Sequence, residues 1–323
     1  MQRVKALLAA GVVATLSVSP ASAQNFPNKP VRFILTVAPG GGLDITVRAV
    51  SQKLSEIWGQ TVVVDNRAGA SGMIALDTAA KSAPDGYTIV VINSTHAGHP
   101  ATQPKAPYDL QRDFAPVTQM TSQPYILVSH PSVQASNVKE LLAVARTRSG
   151  GLTYGSSGNG GLSHLAGAQL ALLGKAPLVH VPYKGGGPAL VDLLGGQINI
   201  LFATPLESIA HIKNGRIRAH AVSTVKRSSV VPELPTLHEA GVSGFEISGW
   251  YGVGAPAATP GPVIARLNET FARALRMHDL VERFARDGVE TVGSTPEQFR
   301  AYLNAEIAKW KQAVASTPGF LRP

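Results

Sequence analysis

From Val31 onward the chain alternates two rhythms. Short runs of consecutive apolar and β-branched residues lead into a glycine or Ser/Thr loop, after which apolar residues return every three or four positions. Unbroken apolar runs of that length fit strands buried on both faces, and the longer period fits helices that bury one stripe. Val31 to Val37 predicts the first strand and Pro39-Gly40-Gly41-Gly42 its loop. Asp44 is expected to cap a helix whose stripe is Val47, Val50, Leu54 and Ile57. Thr61 to Asp65 predicts a second strand, Ala68 to Gly72 a turn, Met73 to Lys81 a helix, and Thr88 to Ile92 a third strand after the Pro84-Asp85-Gly86 turn. This βαβαβ order predicts a parallel sheet covered on both faces, with a ligand crevice beyond the carboxyl ends of its strands.

The same alternation restarts in the middle. Tyr125 to Ser129 predicts a strand, Val138 to Arg146 a helix, Leu152 to Tyr154 a strand, and Ser156 to Gly161 a loop ahead of a helix over Leu162 to Leu173. Val179 to Tyr183 predicts the next strand, Lys184-Gly185-Gly186-Gly187 its loop, and Pro188 the opening of a short helix. Ile198 to Phe202 and Ala219 to Ser223 add strands. The tail differs: Pro262 to Leu275 and Leu280 to Arg286 are helical, and Thr295-Pro296-Glu297-Gln298 announces a last helix with a capping box. A tail without strands of its own must bury its stripe on an earlier lobe. The expected architecture is therefore two α/β lobes, the first discontinuous (24–123 with 249–323) and the second spanning 124–248, with chain crossings near Gln123 and Gly249 as the hinge.

Composition narrows the function. The 323 residues are 44% hydrophobic and 15% charged, as in folded globular proteins. The absence of cysteine excludes thiol nucleophiles, disulfides, Cys-ligated metals and a cysteine-linked lipid. Arg3 and Lys5, the apolar run Ala6 to Val18 and the small residues Ala21-Ser22-Ala23 predict a cleaved signal peptide over 1–23. That run is shorter than the roughly 20 residues of a membrane span, so export as a soluble periplasmic body is expected. The formal charge of +9 falls to +7 without Arg3 and Lys5, and clusters such as Lys226-Arg227 are short. No aromatic-studded basic stripe points to nucleic acid, and only a mild field for small anions remains.

The chemistry lies in loops. Gly40 to Gly42, Gly158 to Gly161 and Gly185 to Gly187 each follow a strand and precede a helix, so their amides and the helix N-termini can meet a carboxylate or phosphate. Glycine also serves tight turns, but three such loops over two lobes suggest an anion trap between them. No GxxxxGK[ST] loop is present, and Gly158-Asn159-Gly160-Gly161-Leu162-Ser163 lacks the last glycine of the dinucleotide fingerprint. No cofactor is expected. Ser156 or Ser157 with His164 as base would make an exported hydrolase, although no G-x-S-x-G elbow frames them. His96 and His99 lack a carboxylate or thiol to complete a metal site and read as a solvated loop. Glu56, Glu140 and Glu306 read as solvated helical charges, and no acid pair is placed for general acid–base work. Ser94-Thr95 and Thr204 put hydroxyls at strand ends, where they either start helices or line the crevice.

In series these residues resemble the solute-binding receptors of tripartite tricarboxylate transporters, the TctC-like or Bug receptors. The resemblance is carried by Pro39-Gly40-Gly41-Gly42 with Asp44 and Arg48, Val63 to Arg67 with Gly69 and Gly72, Pro84-Asp85-Gly86-Tyr87, and Asp113 to Val117. Ser156-Ser157-Gly158 through His164-Leu165, His180 to Gly185, Pro232 through Pro235-Thr236, and Trp250-Tyr251-Gly252 continue it. It implies a bilobal periplasmic-binding (Venus flytrap) fold, a non-enzymatic monomer closing on one organic anion, such as a di- or tricarboxylate or an aromatic acid. It also implies delivery to membrane permease subunits; a sensor feeding a receptor kinase is the alternative partner reading. The family's carboxylate grip carries over to Gly40, Gly41, Ser156, Gly160, Gly161 and Thr204, and less closely to Thr95 and His164, with Asp44 in the first loop's helix. Three positions depart from the family: Gly161 stands where Ser or Thr is common, Ala203 where Asp is common, and His220, facing either ligand or core, where an apolar residue is common.

Overall fold

The computed structural model describes residues 26–316; the predicted leader over 1–23 lies outside the described residues. In chain order come β1 (Val31–Leu35), α1 (Gly42–Trp58), β2 (Val62–Asn66), α2 (Met73–Ala80), β3 (Thr88–Asn93), α3 (Ser94–Thr102) and β4 (Phe114–Pro124). They are followed by β5 (Ile126–Ser129), α4 (Val138–Thr147), β6 (Leu152–Ser156), α5 (Leu162–Gly174), β7 (Leu178–Pro182), α6 (Gly186–Leu194), β8 (Ile200–Ala203), α7 (Pro205–Lys213) and β9 (Arg218–Val222). The chain ends with β10 (Ser248–Pro256), α8 (Gly261–Ala274), α9 (His278–Arg286), β11 (Glu290–Thr291) and α10 (Pro296–Ser316).

Two sheets result, ordered β11-β4-β10-β3-β1-β2 and β7-β6-β8-β5-β9. The predicted βαβαβ unit forms three parallel strands, β2-β1-β3. The sheet as a whole is mixed, however, because β10 pairs antiparallel with β3 and β4. The second sheet repeats the scheme, with β7, β6 and β8 parallel and β5 antiparallel to β8 and β9. β4 and β10 escaped the sequence pattern. The first carries buried Thr118, Gln119, Thr121 and Gln123, and the second carries glycines where neighbours press close. A Cβ on Gly252 would run into the Phe299 ring, and one on Gly254 would stand 2.6 Å from Ile92. The tail is not strand-free either, since β11 adds two residues to the edge beside β4.

The chain passes between the sheets twice, from β4 to β5 and again just ahead of β10, and Ser223 ties the passages together. Its Oγ donates to Ile247 O at 2.6 Å and accepts from Tyr125 N at 2.9 Å. The C-terminal helix returns to the first sheet as expected, and its capping box is formed by Thr295 and Gln298. Fully buried Trp250 meets Phe299 and Tyr302 of α10 edge to face. Its Nε1–H donates to Glu306 at 3.1 Å, so Glu306 is a half-sequestered acceptor rather than a solvated charge. Trp250→Ala is expected to cost about 3–5 kcal/mol, read by urea unfolding, because it empties this cavity and strands that carboxylate.

Candidate functional site

Five helices begin at the carboxyl ends of strands and border one cavity between the two sheets. From one side come Gly41 and Gly42 at the start of α1, and Thr95 and His96 at the start of α3. From the other come Ser163 (α5), Gly186 (α6), and Thr204 with Glu207 (α7). The cavity is about 50 Å³ and is closed behind by Tyr125 and Tyr251, beside the two passages. Thr36, Ser71 and Ser157 continue into an outer chamber of about 340 Å³ that also touches Lys184.

The lobes meet closely here. Ala38 N donates to Lys184 O at 2.9 Å, and a Cβ on Gly187 would stand 2.9 Å from Gly41 N. Several of the helix-start amides are occupied by the protein's own acceptors. Leu162 N of α5 donates to Thr95 Oγ1 at 3.0 Å across the cleft. Gly42 N of α1 donates to Glu207 Oε2 at 3.1 Å, also across the cleft, while Thr204 N donates to Glu207 Oε1 at 2.7 Å. Burial raises the Glu207 pKa, and those N–H groups offset the rise only in part.

Asn93 opens α3 with a capping box, accepting from Thr95 N and His96 N and donating its own N–H to His96 Nδ1 at 3.1 Å. The proton of neutral His96 therefore sits on Nε2. Burial, followed by the neighbouring His99, holds the His96 pKa well below the usual imidazole range. The segment Ser94–Thr102 is thus a buried helix and not the expected solvated loop; both His96 and His99 are 1% exposed.

Of the residues expected from sequence to grip the carboxylate, Gly41, Thr95 and Thr204 line the cavity, and Gly40, Asp44, Ser156, Gly160, Gly161 and His164 shape the loops behind it. Gly40, at φ +91°, donates to Asp44 Oδ2 at 3.0 Å. Gly41, not Asp44, is the N-cap of α1. Burial pushes the Asp44 pKa up, but hydrogen bonds from Arg48, Asn66 and Gly40 outweigh it and hold it low. Ser156 is fully buried under the loop, its Oγ accepting from Gly158 N at 3.1 Å and hydrogen-bonded to His180. Gly160 N donates to His164 Nδ1 at 2.9 Å, and the His164 ring stacks on His180 at 3.8 Å. Gly161 N turns inward to Gly158 O at 3.1 Å.

His164 is therefore a loop anchor. Ser157 bonds to Ser163, so neither serine is paired with His164 as a hydrolase would need. Burial drives the His180 pKa down to about 4, a poor setting for a general base. His220 faces the core, bonded to Ser129 at 2.7 Å. Among the described residues no cluster of His, Asp or Glu could hold a metal ion. The sequence pattern does not mark Glu207, Tyr125 or Tyr251 as cavity residues. The only signal is the position of Glu207, three residues after Thr204 in a Thr-Pro-Leu-Glu capping box.

No helix among the described residues is long and apolar enough to cross a membrane. The tripartite tricarboxylate transporter family receptor model matches residues 46–317. Protein BugT of Bordetella pertussis is 34% identical over 324 residues, covering 100% of this chain and 99% of BugT. Rpa4515 of R. palustris, solved with adipate, superimposes with a TM-score of 0.87 at 34% identity over 91% of this chain and 98% of that one. MatC from Rhodopseudomonas palustris, solved with malate, gives 0.86 at 29% identity over 90% and 100%. A bilobal fold with five helix starts around an interlobe cavity, full-length likeness to these proteins and the family match agree: the chain belongs to the receptor family of the tripartite tricarboxylate transporters.

Proposed function

We propose that this chain is an extracytoplasmic receptor, released in the periplasm after loss of residues 1–23, that captures one small organic carboxylate without chemical change. Permease subunits of a tripartite transporter would take the ligand from it. The units expected to close on each other are 24–123 with 249–323, and 124–248, turning about the passages tied by Ser223. The observation that carries this reading is the convergence of five helix starts from both sheets on one cavity. In that site Gly41, Thr95 and Thr204 would touch ligand, while Gly40, Asp44, Ser156, Gly160, Gly161 and His164 hold the loops that present the amides. The adipate and malate found in two structural relatives support the ligand class.

A thermal-shift panel of organic acids on the chain from Gln24 onward tests it. A ligand that binds only the folded state adds about 2.7 kcal/mol at a hundredfold excess over its dissociation constant. At least one carboxylate is expected to raise the melting temperature, and a flat response to all of them would overturn the assignment.

A further inference from the structure

The carboxylate reading leaves one group in the cleft unexplained, the buried side chain of Glu207. It is the one acid among the residues lining the inner cavity, and no Lys or Arg lines that cavity with it. Its Oε2 is fixed where three helix starts meet. Gly42 N of α1 donates to it at 3.1 Å, and a Cβ on Gly186 of α6 would stand 2.5 Å from it. Glu207 itself lies in the first turn of α7, with Oε1 on Thr204 N. Other donors toward the cavity are neutral. Thr36 Oγ1 is buried without a hydrogen-bond partner among the described residues, and Thr95 Oγ1 accepts from Leu162 N, which leaves its own proton free. Charged and titratable groups on the elements packed around Glu207 do not counter its charge. Asp44 and Arg48 of α1 pair with each other, Asp192 of α6 is bonded to Tyr183, and burial holds His96 of α3 neutral. Burial pushes the phenol pKa values of Tyr125 and Tyr251 up, so both rings stay neutral as well. On α7, His211 and Lys213 lie in the last turn, away from the cavity.

A ligand carboxylate drawn to these helix starts shares a cavity of about 50 Å³ with Glu207. A single water takes up roughly 30 Å³, so no layer of water fits between the two carboxyl groups. Two carboxylates side by side in a dry site do not both stay ionised, and one of them holds a proton. Glu207 is the one already biased toward it, because burial disfavours its charged form. We infer that Glu207 receives the ligand as a neutral acid, so that one carboxylate and one proton enter the cleft together and leave it together. The proton comes from bulk water and bonds to Oε2, while Oε1 keeps the Thr204 N–H. Oε2 then changes from the acceptor of Gly42 N into a donor, and its O–H and the Gly42 N–H are both offered to the ligand. The negative charge left in the cavity is the ligand's alone, set against the five helix starts.

This inference rests on the carboxylate reading, and one calorimetric series separates the two. Adipate, malate and succinate are titrated into the chain from Gln24 onward between about pH 6.5 and 9, in two buffers whose different ionisation heats report the protons exchanged. Above the pKa of Glu207 in the empty site, the wild-type protein is expected to take up close to one proton per ligand bound, and its affinity to fall by up to about tenfold for each pH unit. Glu207→Gln, isosteric, permanently neutral and checked for folding by its melting transition, is expected to bind the same acid without proton uptake. At the alkaline end it should bind about tenfold or more tightly than wild type, since no proton has to be recruited. Isotope-labelled glutamate gives a reading that needs no variant: the infrared difference spectrum of the wild-type protein at about pH 8 should show a protonated glutamic carboxyl appearing on ligand addition. Binding without proton uptake, uptake that persists in Glu207→Gln, or no such carboxyl band would overturn the role of Glu207 and leave the carboxylate reading standing. Binding of none of the acids to either protein at any pH would overturn both.

Discussion

Gly41→Val is expected to abolish ligand capture, by a hundredfold or more in dissociation constant, while each lobe keeps its fold. The backbone at Gly41 is extended, with φ −87° and ψ 169°, a region that valine occupies without strain. What fails is the approach of the lobes. A Cβ there would stand 3.0 Å from Gly187 N and 3.4 Å from Glu207 Oε2, both in the opposite lobe, and the two methyls of valine would reach beyond it. The locally felt cost is the exchange of glycine for a poor N-cap residue, about 1 kcal/mol. The variant should therefore melt within a few degrees of wild type without ligand and show no shift with a carboxylate that stabilises wild type. Gly261→Ala, where no atom lies within 4 Å of the added carbon, is the control and should behave as wild type in both measurements. An unchanged affinity in Gly41→Val would mean that the first glycine loop does not take part in closure.

The parts of this molecule that could be read from sequence are those where one local rule acts alone. Strands such as Ile200–Ala203 and helices such as Gly42–Trp58 announce themselves because buried strands are uniformly apolar and the helix needs one stripe. The glycine loops were legible for the same reason, as three strand-to-helix turns with no side chains to obstruct an approach. What could not be read depends on partners distant in the chain. Ser94–Thr102 contains Gly98 and Pro100 and has little helix propensity of its own; burial against α10 and the Asn93 capping box make it helical. β10 looks like a glycine-rich loop until Phe299 and Ile92 are placed against it. Glu207 looks like an ordinary capping-box acid until Gly42, 165 residues away, donates to it. From sequence the helix-start amides are expected to meet a ligand anion. That the protein itself supplies acceptors to several of them, Glu207 to Gly42 and Thr95 to Leu162, is visible only once the two lobes are placed together.

Acid should destabilise this protein well before its carboxylates protonate. Burial holds three core imidazoles below their ordinary pKa of 6.5: His96 well below it, and His99 and His220 near 4. None of the three is paired with a carboxylate; their partners are a backbone N–H, the hydroxyl of Tyr108 and that of Ser129. In the unfolded chain the same imidazoles take up protons near pH 6.5. Between that value and about 4 the unfolded state therefore binds protons that the folded state refuses. Folding stability is fully present above pH 6.5 and falls as the pH is lowered, by up to about 1.4 kcal/mol per pH unit for each fully buried histidine. Half-buried His164 and His180 add smaller contributions of the same sign. Glu207 acts in the opposite direction, since its raised pKa lets the folded state take up a proton first, but it is one group against several. The sum over pH 6.5 to 5 is on the order of several kcal/mol, a large share of the 5–15 kcal/mol that holds a typical domain folded. Urea unfolding at half-unit pH steps should show the midpoint dropping steeply across this interval, with more than one proton taken up per molecule unfolded. His220→Phe, which removes one refusing imidazole, should flatten the slope by up to one proton. A midpoint constant from pH 7 to 5 would show that these rings are hydrated and protonated in the folded state, with the second sheet and the α3 helix packed more loosely than described above.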